Sequence, residues 1–249
     1  MPRFAANLTF LFRELPFLER FEAAAEAGFL GVEVLFPYDD AVSEITRRLK
    51  RHKLEMVLIN APPPNWAGGA RGFAAVPGGA ERFRHDFRRA LRYGEALGAQ
   101  HLHIMAGKAK GLVARSTFVD NLRWAASQAP RMSLTIEPIN DADMPGYFLT
   151  DFDLAAEVLD EVGAPNLNLQ FDMYHAHTIT GDGIAAWERH GHRARHIQVG
   201  GLPGRHEPVA DEIDYPAFFR RLDAEGYAGW VSGEYNPLGR TEDGLGWIG

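Results

Sequence analysis

Four side chains that carry oxygen donors stand at the ends of short apolar runs in the second half of the chain. They are Glu137, Asp172, Gln198 and Glu234. Three carboxylates within a few ångströms repel one another and resist ionising together unless a cation neutralises them. A donor set of carboxylates and one amide favours hard ions such as Mg²⁺ or Mn²⁺ over zinc or copper. If the fold brings these run ends together, we expect them to bind one divalent cation.

Two histidines near these positions are candidates for substrate contacts. His175 lies three residues after Asp172, and we predict that it donates a hydrogen bond to substrate or supports a metal ligand. His103 lies toward the end of the apolar run at 101–105 and is also predicted to contact substrate. The alternative is a loop position for His175 and an ordinary strand position for His103.

Basic residues after two of the runs are candidates for binding an anionic substrate. Arg205 and His206 lie in the loop LPGRHEP at 202–208, and they are the nearest basic residues in the loop that follows the run ending near Gln198. Arginine binds carboxylate or phosphate through two hydrogen bonds, so we predict an anion clamp in this loop. Lys108 is a second candidate for the same role. A plain surface turn is the alternative.

Short apolar runs alternate with longer amphipathic ones, which predicts eight strands separated by helices. The predicted strands are Arg3–Leu8, Gly31–Phe36, Leu54–Asn60, His101–Met105, Ser133–Glu137, Leu167–Asp172, His196–Val199 and Trp230–Glu234. Helical periodicity is clear where Phe83, Phe87 and Leu91 share one face. Several predicted helices end at a glycine, such as Gly98 and Gly163, just before the next strand.

The number and spacing of these units predict a barrel. The 249 residues divided among eight units give about 31 residues each, which is typical of a (β/α)8 barrel. We therefore predict a single TIM-barrel domain over residues 1–249, with a doubly wound open sheet as the alternative. The third strand and third helix are separated by a long segment rich in Pro and Gly, at about 61–78. Because it contains Trp66, Arg71 and Phe73, we expect an ordered lid at the mouth of the barrel.

Composition excludes several classes of protein. The chain has no cysteine, so disulfides, thiolate catalysis and Cys-ligated metal centres are excluded. A net charge of −7 argues against a surface that binds nucleic acid. We predict no membrane span and no signal peptide, since Asn7, Arg13 and Glu14 interrupt the opening apolar stretch. We expect a cytoplasmic protein, with homo-oligomerisation left open, and a short last helix before Gly249.

Seven stretches of the chain resemble the hydroxypyruvate isomerase family, within the xylose-isomerase-like barrels. They are NLTFLF at 7–12, GVEVLFPYD at 31–39, NAPPPNWAGGARGFAAVPG at 60–78, LTIEPIN at 134–140, FDMYHAH at 171–177, HIQVGGLPGRHEP at 196–208 and GWVSGEYNP at 229–237. The resemblance implies that Glu137, Asp172, Gln198 and Glu234 bind a divalent metal and that the two glutamates move protons. Related sugar epimerases usually have histidine at the third ligand position, so Gln198 favours the hydroxypyruvate branch.

The reaction implied by this resemblance interconverts hydroxypyruvate and tartronate semialdehyde (2-hydroxy-3-oxopropanoate) through an enediolate. Three carboxylates and a divalent cation sum to −1, so we expect Arg205 or His206 to balance a substrate carboxylate. On the same site, a 2-oxo-tetronate isomerase or a ketose 3-epimerase is the alternative. A catalytically silent metal- or sugar-binding protein is the alternative of a different class. The pair Glu137 and Glu234 argues against it, because binding alone does not require two carboxylates flanking the reacting carbons.

Overall fold

The apolar runs form eight parallel strands that close into a barrel in chain order, with β8 paired to β1. The computed structural model describes residues 2–61 and 70–248. The strands are β1 (Arg3–Asn7), β2 (Gly31–Glu33), β3 (Glu55–Asn60), β4 (His101–His103), β5 (Ser133–Ile136), β6 (Leu167–Asp172), β7 (Ala194–Val199) and β8 (Trp230–Gly233). The predicted (β/α)8 architecture is confirmed, and the open-sheet alternative is excluded by closure.

Helices follow the strands around the outside of the barrel. They are α1 (Arg20–Glu26), α2 (Val42–His52), α3 (Ala80–Leu97), α4 (Gly111–Gln128), α5 (Phe152–Val162), α6 (Met173–Thr180), α7 (Gly183–His190) and α8 (Tyr215–Ala224). Short 3-10 helices cover Phe17–Glu19, Gly191–Arg193 and Thr241–Ile248. The predicted apolar faces are buried, as Phe83, Phe87 and Leu91 of α3 show. In the part of the chain described, no helix combines the length and apolar character needed to span a membrane.

Local sequence signals account for where several helices begin and end. Asp151 and Asp182 each accept a backbone N–H bond at the start of α5 and α7, at 2.7 and 3.0 Å. Such a cap contributes about 1 kcal/mol. Gly98 and Gly163 end α3 and α5 in the left-handed conformation, with φ of +70° and +64°. Glycine adopts this conformation without a Cβ penalty, which is why the predicted glycine stops are confirmed at these two positions.

Seven of the eight strands differ from their predicted limits, by one residue each except for β2, β4 and β7. β4 ends at His103 and not at Met105. β2 ends at Glu33 and not at Phe36, and a register shift between Val32 and Glu33 makes its pairing with β3 irregular. β7 begins at Ala194, two residues earlier than predicted, because Ala194 already pairs with Leu169 of β6.

Residues 72–75, which precede α3, are anchored to residues 105–107, which follow β4. β3 ends at Asn60 and α3 begins at Ala80, and residues 62–69, which include Trp66 of the predicted lid, lie outside the described residues. Gly72 forms an isolated antiparallel bridge with Ala106. Its φ is +96°, and a Cβ there would lie 2.1 Å from the carbonyl oxygen of Met105. Only glycine permits this close approach, which holds the neighbouring residues of the segment beside the barrel mouth.

Candidate active site

The four oxygen-donor side chains predicted from the sequence lie together at the C-terminal end of the barrel. Asp172 is the last residue of β6 and is the pairing partner of Gln198 on β7. Glu137 and Glu234 directly follow β5 and β8. All four side chains are buried, and they are joined by hydrogen bonds or ion pairs made through their neighbours. Strand pairing therefore brings together residues that are far apart in sequence.

Gln170 links two members of this group, although sequence reasoning did not select it. Its Nε2 donates to Glu137 Oε2 at 3.1 Å and to Gln198 Oε1 at 2.8 Å. Its Oε1 accepts a bond from the Thr135 hydroxyl at 3.0 Å, so the buried amide is well satisfied. Gln170 precedes Asp172 by two residues on β6 and points to the same side of the strand. That alternation is the signal that identifies it.

A buried pair of side chains that crosses the barrel was also missed. Glu33 of β2 and His196 of β7 are both fully buried, and the Glu33 Oε2 to His196 Nε2 distance is 2.6 Å. Glu33 Oε1 accepts bonds from Asn7 Nδ2 at 2.7 Å and Gln198 Nε2 at 2.8 Å. The Gln198 amide also donates to Glu234, so Glu33 and Glu234 share one donor. Glu33 thus orients the amide of a predicted metal ligand.

Arg205 is placed between two of the predicted ligands. Its Nη2 lies 2.6 Å from Asp172 Oδ2 and 2.8 Å from Glu234 Oε1. Its guanidinium carbon also lies 5.0 Å from the centre of the Tyr174 ring. The backbone holds Arg205 at a φ of +56°, a left-handed conformation that is uncommon outside glycine and is often found at functional sites. The positive charge of Arg205 is therefore shared by two carboxylates of the cluster.

Burial raises the pKa of the three glutamates at the site. Glu137 has its pKa raised well above the usual value by burial and by the charges of Glu234 and Asp172, which Arg205 opposes. Burial likewise raises the pKa of Glu234 to about 8, against the opposing charge of Arg205. Burial raises the pKa of Glu33 to about 7. The cluster therefore resists full ionisation, as expected for like charges placed together.

The two predicted histidines face the same carboxylates. His175 Nε2 lies 3.6 Å from Asp172 Oδ2, and His103 Nε2 lies 3.6 Å from Glu137 Oε2. Burial lowers the pKa of His175 to about 4 and that of His103 to about 3, so both rings are neutral near pH 7. The side-chain amide of Asn140 donates to His175 Nδ1 at 2.7 Å. Neutral His175 therefore carries its proton on Nε2, directed toward Asp172.

Several of these groups line a cavity of about 180 Å³, and the predicted ligands Asp172 and Gln198 are not among the described residues on its wall. Its polar wall includes Glu137, Glu234, Gln170, His103, His175 and Arg205, and its apolar wall includes Phe10, Leu35, Phe36, Met105, Ile139 and Met144. The volume is smaller than the roughly 300–1,000 Å³ of sites that accept drug-sized molecules. The cavity therefore suits a substrate of a few carbon atoms.

Two of the predicted substrate-binding residues are not among the described residues that line this cavity. His206 is partly exposed, and its Nδ1 forms a 2.8 Å hydrogen bond with the backbone oxygen of Asn236. Lys108 is exposed, and its backbone pairs with Tyr147 in an isolated bridge. The structure thus brings His103, His175 and Arg205 to the four-residue cluster, while His206 and Lys108 lie in the loops around it.

Comparison with known proteins identifies the family. The sequence model for the xylose isomerase-like TIM barrel matches residues 21–249. The chain belongs to this family. A 2-oxo-tetronate isomerase from Cupriavidus necator is 45% identical, and the match covers 100% of this chain and 98% of that protein. A hydroxypyruvate isomerase from Escherichia coli is 41% identical, with coverage of 100% and 98%. A crystal structure from Brucella melitensis, described as an AP endonuclease of family 2, superposes with a TM-score of 0.96 at 46% identity and covers 100% of this chain and 98% of its own.

The isomerase relatives confirm the resemblance noted in the sequence and the prediction that this xylose isomerase-like barrel is an isomerase. Two of the four predicted metal ligands, with His175 as a third donor, are grouped closely enough for a divalent cation. Donor atoms of Glu137, Asp172 and His175 all lie within 4.8 Å of one another and are buried. Beside them, His103 Nε2 is buried without a hydrogen-bond partner among the described residues. A buried group of carboxylates with an unsatisfied polar atom beside it is compatible with a metal site, because a cation would offset the repulsion.

Proposed function

We propose that this isomerase interconverts hydroxypyruvate and tartronate semialdehyde in a reaction that depends on a divalent metal. The observation that carries the proposal is the placement of Glu137 and Glu234, two buried carboxylates, on the wall of one small cavity. An isomerisation of this kind moves hydrogen between adjacent carbons, so it needs one group that accepts a proton and one that donates a proton. The relative from Escherichia coli, named a hydroxypyruvate isomerase, supports the same substrate.

The residues proposed to hold the metal are Glu137, Asp172, Gln198 and Glu234. Their oxygen donors favour Mg²⁺ or Mn²⁺. When bound, a divalent cation polarises the substrate carbonyl and stabilises the negative charge that develops on its oxygen. Gln170 and Glu33 orient this set, since Gln170 donates to Glu137 and Gln198, and Glu33 accepts from the Gln198 amide.

The two glutamates are proposed to move the carbon-bound hydrogen. One glutamate takes a proton from the hydroxymethyl carbon of hydroxypyruvate, which leaves an enediolate. The other glutamate delivers a proton to the neighbouring carbon, which was the carbonyl carbon. The hydroxyl proton passes overall from the terminal oxygen to the former carbonyl oxygen, so the product is an isomer with the same atoms. His175, whose Nε2 carries the proton, is placed to donate a hydrogen bond to one of these oxygens.

A 2-oxo-tetronate is the second candidate substrate. The relative from Cupriavidus necator is named a 2-oxo-tetronate isomerase, and it is 45% identical to this chain. The same glutamates would perform the same proton transfer on a substrate one carbon longer. Assays of hydroxypyruvate, 2-oxo-tetronates and ketohexoses with Mg²⁺ or Mn²⁺ discriminate between the two candidates and a ketose 3-epimerase.

The substitutions Glu137→Gln and Glu234→Gln test the proton-transfer roles. Each variant keeps an oxygen donor, so metal binding should largely remain, but the amide cannot accept a proton at neutral pH. Turnover should fall by about 10²–10⁴-fold, the usual contribution of general acid–base catalysis. Glu26→Gln, at an exposed position on α1, is the matched control and should retain parental turnover.

Deuterium exchange separates the two roles. In deuterated water, the variant without the base should leave the hydroxymethyl carbon of the substrate unlabelled. The variant without only the returning acid should label that carbon and form no product. A variant that keeps its metal and turns over within about threefold of the parent would show that its glutamate is a ligand alone. Absence of exchange in the parent with every substrate would indicate a binding protein.

A further inference from the structure

A substrate that carries a carboxylate must overcome the negative charge of the site. The proposed metal site contains one divalent cation and three carboxylates, those of Glu137, Asp172 and Glu234. Its net charge is therefore −1. Arg205 lies beside them, but its Nη2 is already 2.6 Å from Asp172 and 2.8 Å from Glu234. A guanidinium shared by two carboxylates has less charge to offer a third one. The cavity therefore needs a separate cation if its substrate is an acid.

Arg71 is a cation on the cavity wall that the acidic cluster does not engage. It comes from the segment between β3 and α3 and lies on the same cavity as Glu137 and Glu234. Its guanidinium carbon is 5.8 Å from the centre of the Phe36 ring, another group on the wall. Within residues 2–61 and 70–248, no carboxylate forms an ion pair with Arg71. Its five N–H donors have the planar geometry that binds a carboxylate through two hydrogen bonds.

The backbone next to Arg71 is held in a defined position by contacts with the residues that follow β4. Gly72 pairs with Ala106, and the segment is also held by a 2.8 Å hydrogen bond from Ala75 N to Ala106 O. The approach is so close that a Cβ on Gly107 would lie 2.3 Å from Gly72 O. Two glycines thus allow residues 72–75 to pack directly on residues 105–107, which follow β4. An anchored backbone reduces the ordering cost of binding through the adjacent side chain.

We propose that Arg71 binds the carboxylate of the substrate and thereby selects 2-oxo acids over neutral ketoses. This inference rests on the proposed function, because it assumes that the isomerised substrate is an acid. It assigns different roles to the two arginines of the cavity: Arg205 balances Asp172 and Glu234, and Arg71 balances the substrate. Both candidate substrates, hydroxypyruvate and a 2-oxo-tetronate, carry the group that Arg71 would bind.

The substitution Arg71→Gln, assayed with an acid and its neutral counterpart, tests the proposal. Dihydroxyacetone differs from hydroxypyruvate by a hydroxymethyl group in place of the carboxylate, and it isomerises through the same type of intermediate. A charge-assisted contact contributes about 1.5–3 kcal/mol, or roughly 10- to 150-fold. We expect kcat/KM for hydroxypyruvate to fall in that range, mainly through KM, and that for dihydroxyacetone to change by less than about threefold. Arg71→Lys should recover part of the loss, and Arg92→Gln, at an exposed position on α3, should match the parent.

Equal losses with both substrates would overturn the proposal, since they would show that Arg71 only supports the fold. A binding measurement keeps the proposal testable if the proposed isomerisation itself fails. Calorimetric titration of the Mn²⁺-loaded parent with D-glycerate, which does not isomerise, should show binding that weakens at least tenfold in Arg71→Gln, while Mn²⁺ affinity stays the same. If hydroxypyruvate and 2-oxo-tetronates are not turned over but this loss is seen, the proposed function fails and carboxylate binding by Arg71 stands. Failure of D-glycerate to bind the parent, or equal binding to both proteins, would refute the role of Arg71.

Discussion

Replacement of Glu33 by glutamine tests the electrostatics of the barrel interior. Glu33 is fully buried and lies 2.6 Å from His196 Nε2, and both partners have no exposed surface. Burial raises the pKa of Glu33 from 4.5 to about 7, although hydrogen bonds from Gln198 and Asn7 oppose the rise. Burial also lowers the pKa of His196 to about 3. The pair is therefore expected to be a carboxyl group and a neutral imidazole, and not a salt bridge, below about pH 7.

The raised pKa of Glu33 determines how the stability of the folded protein changes with pH, in both direction and size. The folded state holds the Glu33 proton up to about pH 7, whereas the unfolded chain releases it near pH 4.5. Stability from this group is thus fully present below pH 4.5 and is lost as pH rises toward 7. One unit of pKa is about 1.4 kcal/mol, so the loss is about 3 kcal/mol. The substitution Glu33→Gln removes the charge, and the new carboxamide can still accept from Asn7 and Gln198 and donate to His196 Nε2.

Thermal unfolding of EDTA-treated protein measures this effect. The difference in melting temperature between Glu33→Gln and the parent should increase by about 5–10 °C in favour of the variant as pH rises from 5 to 8. For a chain of this length, 1 kcal/mol of stability changes the melting temperature by about 2–4 °C. Glu95→Gln, at an exposed position on α3, is the control and should show no such trend. A variant that is less stable than the parent at pH 8 would refute the reasoning, because it would show that Glu33 and His196 form an ionic pair whose loss is costly.

Three further substitutions test the metal site, the anchored segment and a helix cap. Gln198→His should shift metal preference toward Co²⁺ or Zn²⁺, because imidazole replaces an amide oxygen, and unchanged selectivity in a competition titration would contradict this. Gly72→Ala should destabilise the fold by at least about 1–2 kcal/mol and raise KM for hydroxypyruvate, because φ is +96° and the Cβ meets Met105 O; parental stability and KM would refute the anchoring. Asp151→Ala should lower stability by about 1 kcal/mol, measured by urea unfolding, with turnover unchanged, because the substitution removes the N-cap bond to Leu154 and neither residue lines the cavity.

The fold could be predicted from the sequence because its apolar runs and helical periodicity show where the strands and helices lie. Parallel strands covered on both faces need continuous apolar runs, and these runs located all eight strands, with errors mainly at the ends. In β2, for example, the register shift after Val32 was not predicted, because a β-bulge leaves no periodic pattern in the sequence. The same runs predicted that Glu137, Asp172, Gln198 and Glu234 share one end of the barrel, because parallel strands place all their C-terminal ends on one side.

Contacts across the barrel were decided only by the tertiary structure. Glu33 and His196 are 163 positions apart and touch because β2 and β7 face each other across a closed interior. Their distance in sequence carries no sign of that pairing, and the burial that raises the Glu33 pKa exists only once the barrel is closed. The division of roles between the two arginines has the same origin. The sequence placed Arg205 near the predicted ligands and Arg71 in a long segment between β3 and α3. An arginine interacts most strongly with the carboxylates closest to it, and only folding determines which carboxylates lie within 3 Å of Arg205.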